Sequence, residues 1–136
     1  MNTLLISTFV MALLTFPMNH KNNVDIDSLD GTSLTYKYHD LGTVKLNFGQ
    51  GLITYEWLDG PFKGMIGKDY PYKAKKIARK IYLVQWFESE RSSLVSLAIN
   101  FKENTVDSSA LLNPGKEDEA VLFHHATIQK QNLVEK

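Results

Sequence analysis

The sequence predicts an all-β fold, a single closed antiparallel barrel of about seven to nine strands with an apolar segment in front of it. Three observations carry this. From residue 30 onward apolar and polar residues alternate in short runs, the period of strands with one buried face. Glycine, asparagine, aspartate and proline punctuate those runs at short intervals. A chain of 136 residues can bury a real core but is too short for two domains.

Composition narrows the function. With 43% hydrophobic and 22% charged residues the balance is that of an ordinary globular protein, which argues against wholesale disorder. Lys+Arg 15 against Asp+Glu 15 gives a formal net charge of +0, so nucleic acid is not an expected partner. The chain has no cysteine, hence no disulfide, thiol nucleophile, cysteine-ligated metal or bacterial lipoprotein anchor.

In chain order, Leu4 to Phe16 is an apolar run ended by Pro17. It has the length of a secretory-signal core and falls short of a membrane span, but no Lys or Arg precedes it and no Ala-x-Ala site follows. We expect residues 1–17 to be a signal-peptide-like segment; the alternative is a retained helix that plugs the barrel end. A signal would make the protein periplasmic or secreted, and a retained segment cytoplasmic. No stable membrane span is expected in the mature chain. Residues 18–29 read as a linker, 30–130 as the barrel and 131–136 as a tail.

Within the barrel, Ser33 to His39 carries Leu34, Tyr36 and Tyr38 on one face. Asp40-Leu41-Gly42 turns into Val44 to Phe48, and Gly49-Gln50-Gly51 into Leu52 to Leu58, which Asp59-Gly60-Pro61 closes. Phe62 to Arg79 supports no single element: Ala74, Ile77, Ala78 and Ile81 fall at helical spacing, whereas Tyr70-Pro71-Tyr72 and the lysines suit a loop or strand. This stretch is locally basic. It reads either as a solvated edge that resists sheet aggregation or as a charged rim guiding an anionic ligand to a pocket mouth. Leu94 to Lys102, Thr105 to Leu112 and Ala120 to Lys130 complete the strands.

The segment around which the rest is arranged is Lys80 to Glu88, dense in β-branched and aromatic residues. Alternation places Tyr82, Val84, Trp86 and Glu88 on one face. If that face is the barrel interior, Glu88 is a buried acid that must be hydrogen-bonded or protonated, the kind of group proton-transfer chemistry uses. Tyr36 and Tyr38, two phenols at i and i+2, could hold a carboxylate side by side; equally, they could pack their rings and send the hydroxyls to water.

No phosphate loop, dinucleotide fingerprint, HExxH motif or nucleophile elbow is present, so no cofactor is expected. His124 and His125 are neighbours on a strand and point to opposite faces, so no metal site is expected either.

Together, Gly31-x4-Tyr36-x-Tyr38, Tyr55-x-Trp57-x2-Gly60, Gly64 and Ile81-Tyr82-x3-Trp86-x-Glu88 resemble the pattern shared by bacterial phenolic acid decarboxylases and MoaF-like domains. The resemblance runs from about Gly31 to about Ile128. It implies a lipocalin-like (calycin) barrel, carboxylate binding by Tyr36 and Tyr38, and proton transfer by Glu88 without metal or organic cofactor. The decarboxylase arginine is not carried over, because Met65 follows the matching Gly64, and methionine cannot replace a five-donor cation. The long C-terminal extension of the decarboxylases is missing too, and both departures favour the MoaF-like side.

The reading is therefore a barrel that binds a small aromatic or carboxylate-bearing organic ligand, with Tyr36, Tyr38, Trp57, Met65, Tyr82, Trp86 and Glu88 around it. The alternatives are a cofactor-free lyase of phenolic acids, with Glu88, Tyr36 and Tyr38 catalytic, and a structural or protein-binding barrel with a filled core. Self-association as a homodimer is compatible with each.

Overall fold

The computed structural model describes residues 26–136, so the signal-like segment and most of the expected linker lie outside the described residues. Eight strands close into one barrel: β1 (Ser33–Tyr38), β2 (Gly42–Gly49), β3 (Leu52–Trp57), β4 (Ile66–Ala78), β5 (Ile81–Glu88), β6 (Ser93–Asn100), β7 (Thr105–Leu112) and β8 (Ala120–Asn132). Each pairs antiparallel with its neighbours in sequence, and β1 closes the ring on β8. Closure removes the free sheet edges that would otherwise invite aggregation. Among the described residues no helix is long and apolar enough to cross a membrane.

Alternation decides which side chains are inside. On β5, Tyr82, Val84, Trp86 and Glu88 are buried while Leu83, Gln85 and Phe87 are exposed, so Glu88 does lie on the inner face. Outside, Phe87, Leu94, Leu111 and Val121 form one cross-strand row on β5 to β8.

The ambiguous segment is a strand of 13 residues, β4. Its period was hidden because it changes partner midway. Ile66 to Pro71 pairs with β3, and Tyr72 to Ala78 pairs with β5. Register shifts interrupt both ladders, and Asp69 adopts φ 59, so no uninterrupted alternation survives. Pro71 sits at the changeover, where its missing N–H breaks no continuous ladder.

An up-and-down barrel sorts its turns by end. Segments 39–41, 58–65, 89–92 and 113–119 lie at one end, and 50–51, 79–80 and 101–104 at the other. The second end is sealed. Leu29, Leu34, Leu46, Ile53 and Ile99 are almost wholly buried there, and Phe48 meets Tyr72 edge to face at 4.9 Å. Residues expected in the linker and tail take part. Asp27 bridges to Ala74, the Tyr72 hydroxyl donates to Asp30 at 2.7 Å and accepts from the Leu29 N–H at 2.9 Å, and the Val134 N–H donates to Thr32.

This placement divides the basic segment: Lys63 lies in the 58–65 turn at the open end and Lys68 at the start of β4, beside that turn. Lys73, Lys75, Lys76, Arg79 and Lys80 belong to the half of β4 and the turn that lead to the sealed end, and Lys76 pairs with Glu135 at 3.6 Å. They cannot rim a mouth at the other end.

The Tyr72 hydrogen bond, helped by the Gly51 N–H and opposed by burial, holds the Asp30 carboxyl below its ordinary value of 3.8. A depressed folded value stabilises above the unfolded pKa and is lost as pH falls through the folded one. Asp30→Asn is expected to cost about 1–2 kcal/mol at neutral pH, the worth of hydrogen bonds to a charged acceptor reduced by its partial solvation. Urea denaturation should show that difference shrinking as pH drops below the ordinary carboxylate range; a gap that stays constant into acid contradicts the assignment.

Candidate active cavity at the open end

The other half of the barrel is hollow. A cavity of about 310 Å³ opens at the end formed by the β1–β2, β3–β4, β5–β6 and β7–β8 turns. Its walls are largely apolar, with Val44, Trp57, Trp86, Val95 and Leu97 among them. Two of the rim turns are locked together by Asp59, whose carboxylate accepts from the Thr43 N–H at 2.6 Å and the Thr43 hydroxyl at 2.9 Å.

Glu88 is 3% exposed and would be costly there without partners. It has three donors. Tyr55 Oη and Trp86 Nε1 reach Oε1 at 2.7 and 2.9 Å, and Arg91 Nη1 reaches Oε2 at 2.9 Å. The same Nη1 donates to Tyr55 Oη at 2.6 Å, so cation, phenol and carboxylate form a closed set.

Each partner has a local cause. Arg91 ends a short 3-10 turn, Ser89–Arg91, which Ser92 terminates in the left-handed region at φ 48. That turn brings position i+3 back over Glu88. The neighbouring Glu90 is held in turn by the Tyr70 hydroxyl. Tyr55 starts on β3 and must cross β4 to reach β5. It crosses at Gly67, its cross-strand partner, where a Cβ would stand 2.1 Å from Tyr55 Cε1. Only glycine leaves room for the ring.

Burial, then the hydrogen bond to Glu88, pushes the Tyr55 phenol well above its ordinary value. Burial works against the Arg91 charge, but the hydrogen bond to Glu88 and the nearby oxygens outweigh it, and the guanidinium is held above its ordinary value. Among the described residues only Nη1 of Arg91 is engaged, which leaves its other N–H groups free beside the cavity.

Tyr36 and Tyr38 line the same cavity, rings edge to face at 5.3 Å. Tyr38 stacks on Trp57 at 5.7 Å, and Trp57 leans on Phe62 at 5.1 Å. Burial raises both phenols, that of Tyr36 strongly. Both are therefore neutral hydrogen-bond donors at ordinary pH.

The structure thus brings Tyr36, Tyr38, Trp57, Met65, Trp86 and Glu88 around one cavity. It does not bring Tyr82 there. Tyr82 comes six positions before Glu88, about 20 Å along a strand, so it faces inward at the sealed end, against Phe101 and Glu135. Tyr55, Gly67 and Arg91 were missed. The Tyr55-x-Trp57 alternation could have placed Tyr55 inside, but the reach of Arg91 depends on a turn conformation that no pattern announces.

His124 lines the cavity and His125 points outward to Asp107, as neighbours on a strand must. Among the described residues no set of three or more His, Cys, Asp or Glu is placed to hold a metal ion.

A family model described as MoaF-like matches residues 30–121. Among solved structures, one from Burkholderia vietnamiensis, provisionally described as a beta-lactamase, superposes with a TM-score of 0.63 at 18% identity. It covers 78% of this chain and 95% of its own, a likeness in fold alone. No curated protein matches the sequence.

Gly67→Ala is expected to lower stability by about 1–3 kcal/mol, the usual cost of overpacking. Combined with Tyr55→Ala, which empties the space, the same substitution should cost under about 0.5 kcal/mol. Equal cost in both backgrounds, measured by urea denaturation, would show that Gly67 serves something other than the Tyr55 crossing.

Proposed function

Since the chain belongs to the MoaF-like family, we propose that it is a binding barrel that takes a small aromatic, carboxylate-bearing ligand into its open half. One observation carries the reading: a hollow with aromatic walls and, at its edge, a guanidinium whose position is fixed by Glu88 and Tyr55 but whose remaining donors are unspent among the described residues. Apolar walls bind the ring, and a few placed polar groups orient it. A planar cation with parallel donors matches a carboxylate. Arg91, which lines the same cavity as Met65 from a different part of the chain, would supply the cation that Met65 cannot. A filled core is the weaker account of a barrel whose upper half holds about 310 Å³ of space.

A second reading, a cofactor-free lyase of phenolic acids, is favoured by the meeting of Tyr36, Tyr38 and Glu88 around one cavity. The hydrogen bonding weighs against it: Glu88 accepts from three donors, an arrangement for a group that positions its partners, not one that delivers a proton. The apolar row of Phe87, Leu94, Leu111 and Val121 is the face on which a homodimer would form. Sedimentation showing only monomer at working concentrations would dispose of it.

Titration with phenylacetate and related aromatic acids should change the fluorescence of Trp57 and Trp86. Arg91→Ala should weaken binding by about tenfold or more, as expected for loss of a charged hydrogen bond. A flat response across a broad panel sinks the binding reading. The same samples incubated with p-coumarate are expected to yield no vinylphenol or carbon dioxide; turnover above background would install the lyase in its place.

A further inference from the structure

The cavity has a second polar station that the ligand reading does not use. His124 on β8 lines the wall, and its Nδ1 lies 3.1 Å from Asp40 Oδ2 in the β1–β2 turn. Its ring meets the edge of Tyr38 at 6.0 Å. A carboxylate only accepts, so the ring proton belongs on Nδ1, and in the neutral imidazole Nε2 is left as an acceptor. The side chain of His124 is 23% exposed, while that of Asp40 is 62% exposed. The orienting group thus stands at the rim and the oriented ring reaches inward.

Position separates this station from the first. The barrel closes in the order β1 to β8, which sets β8 three strands from β5 and β1 three strands from β6. In a ring of eight strands His124 thus stands on a different wall from the β5–β6 turn, two strands from β6 and three from β5. Trp86, Val95, Leu97 and Ala110 line the apolar ground between Arg91 and His124.

A serine, a histidine and an aspartate on one wall invite comparison with a nucleophilic triad. Ser108 is the cross-strand partner of His124. Its hydroxyl, however, donates to the His124 backbone carbonyl at 3.4 Å and not to the ring, so no base is aligned on a nucleophile. What the ring can do is accept.

We propose that His124, oriented by Asp40, selects ligands that carry a hydrogen-bond donor, a hydroxyl or ring N–H, at the end remote from their carboxylate. This rests on the carboxylate-ligand reading above and deepens it: Arg91 takes the anionic end and His124 the donor end, with the ring of the ligand between them. His124 is then a specificity-determining residue and Asp40 a positioning residue. A polar group built to pair with a ligand donor penalises the analogue lacking that donor, because the ligand covers the acceptor without pairing it.

Calorimetric titration of the full chain with two matched pairs tests this: 4-hydroxyphenylacetate against 4-fluorophenylacetate, and indole-3-acetate against benzothiophene-3-acetate. The wild type is expected to prefer the donor-bearing member of at least one pair by about tenfold. His124→Phe should abolish the preference, weakening the donor-bearing member and relieving the penalty on the member without a donor. Asp40→Ala, at an exposed rim position, should shrink the preference without unfolding the barrel, because the acceptor that holds the ring proton on Nδ1 is gone. No preference in the wild type, or one that survives His124→Phe, overturns the proposal and leaves the carboxylate-ligand reading standing. Failure of all four acids to bind overturns both.

Discussion

A carboxylate inside a barrel is the constraint on which the open half of this molecule depends. Glu88 follows Trp86 on the inner face of β5 and is 3% exposed, so its charge must be met by protein. Arg91, Tyr55 and Trp86 meet it. Taking the cation from a wholly buried pair costs roughly 3–5 kcal/mol; here the cost is lower, because the Arg91 side chain is 34% exposed and partly solvated. Even so discounted, the term is large beside the marginal stability of a small domain. It accounts for the 3-10 turn that returns Arg91 over Glu88, and for a glycine at residue 67 in the path of Tyr55.

The same network keeps the upper half from collapsing. Side chains tied to fixed partners cannot swing inward to fill the space. Tyr55 and Arg91 are pinned to Glu88, Tyr70 to Glu90, and Tyr38 to the face of Trp57. The sealed half is packed instead, with Phe48, Tyr72, Tyr82 and Phe101 filling it with rings. One barrel therefore has two ends of different character: a packed end that supplies stability, and an end where polar groups are held in place at the edge of a hollow.

Much of this was legible in the sequence, for a physical reason. A closed sheet with a buried face imposes period two, and period two survives in β1, β2, β5 and β6, so the inner placement of Tyr36, Tyr38, Trp86 and Glu88 could be read directly. β4 could not be read, because a strand that changes partner at Pro71 and shifts register in both ladders has no single period. Alternation also gives the side of the sheet and not the height along it. That is how Tyr82, on the same face as Glu88, was expected at the ligand and lies at the sealed end. Arg91 escaped because its place depends on one left-handed residue, Ser92, in a turn whose composition is merely polar. The role of Gly67 depends on a ring arriving from another strand, which no local pattern contains.

The central claim is that the open half is a ligand cavity whose anion-binding edge is Arg91, with Glu88 as its anchor. A crystal structure of the protein grown with phenylacetate tests it most directly. The account requires the aromatic ring between the walls that carry Trp57 and Trp86, the carboxylate on the free donors of Arg91, and Glu88 still bonded to Tyr55. A hollow closed by repacked side chains, or a ligand bound only outside the barrel, would contradict it.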